Sequence, residues 1–260
     1  MENKFLEYLS FAHFLADRAG EILLNNYKSS AVVLSEKNID NKKELVTDID
    51  LIIEKETTKL IKKCYPKHNI IGEETGEYKF TSDYTWIIDP IDGTKAFAIG
   101  IPVFGFLLAL KYKNNIILGL VDQPVTGERF WNDEKNSFIN NEKIKTSNCK
   151  ELKKAKLAST DPNMFDNFNK INNLIFKKCN FMRWGTDIFG YLRCAEGKLD
   201  AVIERDIKLW DVAAIEPILR LSGGFLSTWD GKKIGSNDTV LASSNYTLHK
   251  LLLNQLQKLI

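Results

Sequence analysis

Two aspartates three positions apart, Asp89 and Asp92, carry the first chemical signal in this chain. They close the apolar, β-favouring run Trp86-Ile87-Ile88 and flank Pro90, which has no N–H and a fixed φ. Carboxylates at this spacing converge on one site only if the chain turns sharply, and Gly93 supplies the permissive backbone for such a turn. Carboxylate oxygens together with a loop carbonyl are hard ligands, which suit Mg²⁺. Thr94 follows with a hydroxyl and a backbone N–H, and N–H groups at the start of a helix suit a phosphate. One short turn can thus hold a metal and an anion. Asp-Pro and Asp-Gly are also ordinary turn chemistry. The position directly after an apolar strand is what raises the segment above a plain turn.

Other acids must reach that turn from separate elements. Glu44 to Asp50 leads into a helical run ending near Lys63, for which Asp48 or Asp50 is a candidate N-cap. Asn69 to Glu74 reads as a short strand ending in Glu73-Glu74. Adjacent residues of a strand point to opposite faces, so at most one of that pair can face a given metal. Trp210-Asp211 opens an apolar helix running to Leu221, stopped by Gly223-Gly224.

The remaining pattern supplies a frame. Phe5 to Tyr27 is helical in spacing and closed by Ser29-Ser30, and Lys37 to Lys43 is polar and reads as a mobile loop. Gly100 to Tyr112 and Ile116 to Asp122 form a hairpin around Asn114-Asn115, followed by short strands at Glu128 to Trp131 and Phe138 to Lys145. Beyond Lys145 strands and helices alternate: a strand at Lys156 to Thr160, helices at Phe165 to Phe176 and Ile188 to Glu196, and a strand at Leu199 to Glu204. Short strands at Phe225 to Ser227 and Val240 to Ser243 and a closing helix from Tyr246 to Leu259 complete it. The expected organisation is an N-terminal α+β region over 1–145 with an antiparallel sheet and the main metal site. An α/β region over 146–260 completes the cleft.

Composition narrows the function classes. The 260 residues are 44% apolar, enough for a globular core, and 36 Lys and Arg against 34 Asp and Glu give no argument for nucleic acid or membrane. No apolar run approaches the ~20 residues of a membrane span, and no secretory pattern opens the chain. The four cysteines lack CxxC spacing and read as free thiols of a reducing cytoplasm. His13, His68 and His249 fall outside every motif and read as packing or surface residues.

Gly72-Glu73-Glu74, Asp89-Pro90-Ile91-Asp92-Gly93-Thr94 and Trp210-Asp211-Val212-Ala213-Ala214 with Gly223-Gly224, in that order, strongly resemble the inositol monophosphatase family of Mg²⁺-dependent, lithium-sensitive phosphatases. The resemblance spans about Val46 to Ser244. Within the family the chain is most similar to histidinol-phosphate phosphatases. That likeness rests on Lys95-Ala96-Phe97 through Pro102-Val103-Phe104-Gly105, on Asp122-Gln123-Pro124 with Glu128-Arg129, and on Gly185-Thr186-Asp187 with Phe189 and Tyr191.

The resemblance implies a five-layer αβαβα sandwich of the sugar phosphatase type, often a cytoplasmic homodimer, acting on a small phosphate monoester without nucleic-acid or membrane partners. It implies two or three Mg²⁺ ions held by Glu73, Asp89, the Ile91 carbonyl, Asp92 and Asp211, with Glu74 behind them. Asp48 and Thr94 would orient the attacking water beside Glu73, and the Gly93 and Thr94 N–H groups would hold phosphate. Glu204 stands seven residues before Asp211, the family's offset for a substrate-contacting glutamate. Asp187 adds an acid where inositol phosphatases usually have a small apolar residue, and two carboxylates favour an ammonium-bearing substrate. The alternatives are an inositol-1-phosphatase or broad sugar phosphatase, a nucleotide 3′-phosphatase, and a non-catalytic regulator that binds phosphate or RNA.

Overall fold

The computed structural model describes residues 2–29, 32–39, 42–235 and 238–260. Among them the first half of the chain runs α1 (Glu2–Asn26), β1 (Leu34–Ile39), β2 (Lys42–Thr47), α2 (Asp48–Cys64), β3 (Asn69–Gly72), β4 (Gly76–Tyr78), β5 (Tyr84–Asp92) and α3 (Thr94–Ala98). A meander follows: β6 (Gly105–Tyr112), β7 (Asn115–Gln123), β8 (Glu128–Asn132), β9 (Ser137–Ile139) and β10 (Glu142–Lys143). The second half runs β11 (Lys156–Ser159), α4 (Phe168–Leu174), β12 (Phe181–Trp184), α5 (Asp187–Ala195), β13 (Ala201–Ile207), α6 (Leu209–Ala213), α7 (Ile215–Ser222), β14 (Phe225–Ser227), β15 (Asp238–Ser243) and α8 (Tyr246–Leu256).

Strand alternation builds the layers. Among the described residues, one sheet has the order β10-β9-β8-β7-β6-β5-β3-β4 and a second the order β12-β11-β13-β15-β14. On β5 and β6, Trp86, Ile88, Phe106 and Leu108 point to one face and pack on Leu15, Leu23, Ile53 and Ile61 of α1 and α2. Ile87, Leu107 and Ala109 point the other way, onto α5 and α7 through Leu192, Ile215 and Ile218, and that core continues to Val202, Val240 and Ala242 of the second sheet. The second sheet's outer face, Leu157, Ala201, Ile203 and Leu241, is covered by Ile171 of α4 and Leu248 and Leu252 of α8. The architecture is therefore αβαβα. Truncating any of these fully buried aliphatic side chains to Ala costs about 2–5 kcal/mol.

Three elements differ from expectation. Lys37 to Lys43 falls within an antiparallel hairpin, β1 paired with β2, and not in a loop; Asp40 and Asn41 lie outside the described residues, as does Ser30. The expected helix from Trp210 to Leu221 is two helices meeting at Ala214. Pro217 has no N–H and its ring would clash with the carbonyl four residues back, so a continuous helix fails there. Restarting at Ile215 puts Pro217 in the first turn of α7, where it is tolerated. The α6–α7 junction lies hard against β7: a Cβ on Gly119 would sit 1.9 Å from the Ala214 carbonyl oxygen. The N-cap of α2 is Thr47, with Asp50 completing a capping box, and neither Asp48 nor Asp50 caps it.

All four cysteines are free thiols. No helix of the described residues is long and apolar enough to cross a membrane. His68 is stacked between Tyr65 and Tyr84 and accepts the Trp86 indole N–H at Nδ1, 3.2 Å away. His249 lies between the hydroxyls of Ser227 and Ser243.

Candidate active site

Asp89 and Asp92 lie an odd number of positions apart, so a regular strand would send them to opposite faces. The chain does not end the strand at Asp89, as the sequence suggests. β5 continues to Asp92, and three steps on β5 from Asp89 to Asp92 match two on β6 from Leu107 to Gly105. The extra residue is a bulge, placed where Pro90 has no N–H to give the ladder. It restores both carboxylates to one side. Gly93 then adopts φ +83°, and a Cβ there would lie 2.4 Å from the Val103 carbonyl oxygen, so only glycine fits. Thr94 opens α3, whose first N–H groups have no acceptor within the helix.

Asp211, near the start of α6, completes the cluster. One carboxylate oxygen each from Asp89, Asp92 and Asp211 lies within 4.8 Å of the others. Asp211 Oδ2 accepts the Lys208 N–H at 2.8 Å, and Asp92 Oδ2 accepts the Ile188 N–H at 2.7 Å. Asp89 is 1% exposed, and its Oδ1 has no hydrogen-bond partner among the described residues. Burial, then the charges of Glu73, Asp92 and Asp211, push its carboxyl well above the usual range. Asp92 is raised likewise, by burial and then by Asp187 and Asp211. A sealed carboxylate oxygen without a donor, surrounded by carboxylates, fits a divalent cation.

Glu73 is held by two residues that sequence reasoning missed. Glu54 on α2 is fully buried and accepts the N–H groups of Glu74 and Thr75 at 2.8 and 2.7 Å and the Thr75 hydroxyl at 2.5 Å. It thereby fixes the turn that aims Glu73. A Cβ on Gly72 would meet its Oε1 at 2.2 Å. Lys37 on β1 reaches in from the hairpin, 2.8 Å from Glu73 and 2.6 Å from Glu74. Glu74 is pushed up to about 7, chiefly by burial, against the pull of Lys37. Glu54 had a signal: it stands four residues after Asp50, an acid within the apolar stripe Ile49, Ile53, Ile61. Lys37 had none.

The acid beside Thr94 is Asp50, and the expectation of Asp48 is corrected. The Thr94 hydroxyl lies 2.9 Å from the Ile91 carbonyl and 3.5 Å from Asp50 Oδ1. Asp48 Oδ1 instead accepts the Val33 N–H at 3.0 Å. Two positions along a helix turn the side chain through about 200°, and the capping box locks which of the two faces inward. Asp50 is pushed up to about 6 by burial, opposed by its hydrogen bonds from Thr47. The signal was present: Thr47-x-x-Asp50 is capping-box spacing.

On the second wall, Asp187 sits at the start of α5 with φ +41°, a left-handed backbone rare outside glycine. That conformation aims the Ile188 N–H at Asp92. Burial pushes Asp187 up to about 6, tempered by the Lys95 charge. Glu204 departs from the expectation of an open contact. It is 2% exposed, with Oε1 taken by the Thr160 N–H and hydroxyl and Oε2 by the Tyr191 hydroxyl at 2.6 Å. Burial still holds it up at about 7. Four pieces of chain thus bring Glu73, Asp89, Asp92, Asp211, Thr94 and Asp187 to one cleft.

The sequence profile described as the inositol monophosphatase family matches residues 6–260. The chain is 32% identical over 263 residues to a chloroplastic bifunctional phosphatase of Arabidopsis thaliana, IMPL2, covering 96% of this chain and 75% of that protein. It is 30% identical to the Nus factor SuhB of Haemophilus influenzae, covering 94% of each. Among solved structures, an inositol monophosphatase from Zymomonas mobilis superposes with a TM-score of 0.83 at 27% identity, over 97% of this chain and 98% of the other.

Proposed function

The chain belongs to the inositol monophosphatase family and is a phosphoric monoester hydrolase, and from this premise we propose that it removes phosphate from an amino alcohol phosphate, histidinol phosphate, with Mg²⁺. Glu73, Asp89, the Ile91 carbonyl, Asp92 and Asp211 would hold the ions. When bound, such ions lower the pKa of a water and offset charge on the attacking and leaving oxygens. The chain's own residues do the rest. The Thr94 hydroxyl has one proton to give and two acceptors, the Ile91 carbonyl and Asp50. With that carbonyl engaged elsewhere, the hydroxyl donates to Asp50 and its lone pairs face the incoming water. Asp50, raised to about 6, is suited to accept a proton near neutral pH. Gly93 and Thr94 present backbone N–H groups to the phosphate.

The observation that supports the amino alcohol is Asp187. Its half-buried carboxyl stands beside Asp92, and among the described residues the exposed Lys95 is the cation that acts on it. A substrate ammonium supplies the missing counter-charge, whereas a neutral polyol does not. Glu204 contributes indirectly, by orienting Tyr191. The second reading is inositol-1-phosphate, favoured by the likeness to the Zymomonas mobilis inositol monophosphatase. Phosphate release from the two substrates at equal concentration, with Mg²⁺ and with EDTA, separates them. Preference for histidinol phosphate is expected. Preference for inositol phosphate would retain the metal cleft and remove Asp187 from the specificity account.

A further inference from the structure

The second sheet turns the C-terminal ends of three parallel strands toward the cleft. β12 and β13 both run parallel to β11, so these ends lie along one edge, the edge at which such sheets bind ligands. Thr160 follows β11, Gly185-Thr186-Asp187 follows β12, and Glu204 stands near the end of β13. Pairing of β13 with β15 shifts register just past Glu204, so the strand is already leaving its ladder there. Glu204 has the parity of Val202, which lies in the core that includes Tyr191 and Leu192 of α5, so its side chain points toward that helix. Asp187 and Tyr191 are four positions apart on α5 and share a face. Beyond the effect of burial, the Asp187 charge raises the Glu204 carboxyl and the Glu204 charge raises Asp92. Glu204 therefore stands in the wall that the substrate meets, close behind Asp187.

Donors from the protein nevertheless fill this carboxylate. Oε1 accepts the Thr160 N–H and hydroxyl at 2.8 and 2.7 Å, and Oε2 accepts the Tyr191 hydroxyl at 2.6 Å. Among the described residues Tyr191 is the donor to Oε2, and both side chains are buried. A phenol has one proton to give, and here Glu204 takes it. A phenylalanine would fill the same space in the core without supplying that proton. Each of these bonds occupies an acceptor that a substrate hydroxyl could have used. An ammonium needs counter-charge, which Asp187 gives. A polyol needs acceptors, and a wall that withholds them leaves its hydroxyls unpaired.

We propose that Tyr191 is a specificity-determining positioning residue. By holding Glu204 it withdraws that carboxylate from the substrate, so the wall favours an ammonium at Asp187 over the hydroxyls of a neutral polyol. This deepens the amino alcohol reading, on which its account of the ammonium rests.

Tyr191→Phe removes the donor and keeps the ring. Steady-state kinetics with Mg²⁺ on inositol-1-phosphate and on histidinol phosphate compare the parent with this variant. KM for inositol-1-phosphate is expected to fall about tenfold, as a hydroxyl gains a charged acceptor. KM for histidinol phosphate, which has no free hydroxyl, is expected to stay within about twofold. Adding Glu204→Gln is expected to cancel most of the gain. A merely structural role would lower kcat alike on both substrates and leave their ratio of kcat/KM unchanged, which overturns the proposal. A gain that survives Glu204→Gln in full overturns it as well. Thr160→Ala, which loosens the same carboxylate at Oε1, carries the same test if Tyr191→Phe fails to fold. The preference of the parent tests the amino alcohol reading, and the change in the ratio on substitution tests Tyr191. A parent that prefers inositol phosphate, with a further gain in Tyr191→Phe, would overturn the first and support the second.

Discussion

Glu54 and Asp89 are both sealed from solvent, on neighbouring elements, and their surroundings are opposite. Glu54 accepts two backbone N–H groups and a hydroxyl, so its charge is compensated by the protein itself. Asp89 has an oxygen with no donor and three acids around it. The first carboxylate is finished by folding; the second is left for a cation. Glu54 fixes the turn that carries Glu73 to the uncompensated cluster. The difference teaches where stability and function have been separated within one site.

The largest expected effect breaks that comparison at the uncompensated end. Asp89→Asn should lower phosphatase activity by roughly 10³-fold, as loss of a key electrostatic group does. It should also raise the melting temperature of the metal-free protein by a few degrees, because a buried like-charge contact is relieved. Activity near that of the parent, or a fall in melting temperature in EDTA, would erase the distinction. At the compensated end, Glu54→Gln should behave in reverse. Its amide NH₂ faces N–H donors, so about 2–3 kcal/mol of stability should be lost. Activity should fall about 10–100-fold through misplacement of Glu73. Urea unfolding and Mg²⁺ affinity read the two effects, and a stable variant with weakened metal binding alone would separate the turn from the fold.

A smaller effect distinguishes the two acids at the start of α2. Asp50→Asn should reduce kcat about 10–100-fold, while Asp48→Asn should leave it within about twofold, because Asp48 serves the Val33 N–H. Steady-state kinetics on both variants decide it; a loss confined to Asp48→Asn would reverse the assignment.

The last prediction concerns pH. Burial holds Glu74 and Glu204 up at about 7 and Asp50 and Asp187 at about 6. The folded chain therefore keeps protons that the unfolded chain has released, and these groups lose stability as pH rises from about 4 to 7. His68 and His249 act oppositely. Burial holds them down at about 4, so their neutral packing is fully stabilising above about pH 6.5 and is lost as pH falls toward 4. The four raised carboxyls outnumber the two lowered imidazoles, so metal-free protein should lose stability as pH rises from about 5 to 7, and Mg²⁺ should raise the melting temperature more at pH 7.5 than at 5.5. An Mg²⁺ effect equal at both pH values would contradict the raised carboxylates.

Much of this site was legible because its residues are of unusual type in fixed order. Asp89 to Thr94, Glu73 and Asp211 are acids at the ends of apolar runs, and a period-2 or helical pattern places such ends together. Asp50 was readable from its capping-box spacing but is one of two acids in a three-residue stretch, so a helix drawn two residues out of phase selects the wrong one. The β1–β2 hairpin was not legible, since Ser35 to Asn38 and Lys42 to Glu44 lack apolar alternation. Lys37 is a lysine among 36 basic residues, and only the hairpin reveals its direction. The break at Ala214 had a local signal in Pro217, which a helix drawn from Trp210 to Leu221 overlooks.

The bulge in β5 gives the site an arithmetic of its own. Between Asp89 and Asp92 the chain counts in parity, and the added residue changes an odd step into an even one. Surface loops accept insertions of any length with small penalties. Here, inserting one residue would leave every acid in the sequence and still turn Asp92 toward the opposite side of the sheet, exchanging a ligand for an apolar neighbour. Relatives of this chain should therefore vary freely in loop length everywhere except across these four positions, where a single inserted residue is equivalent to losing the metal.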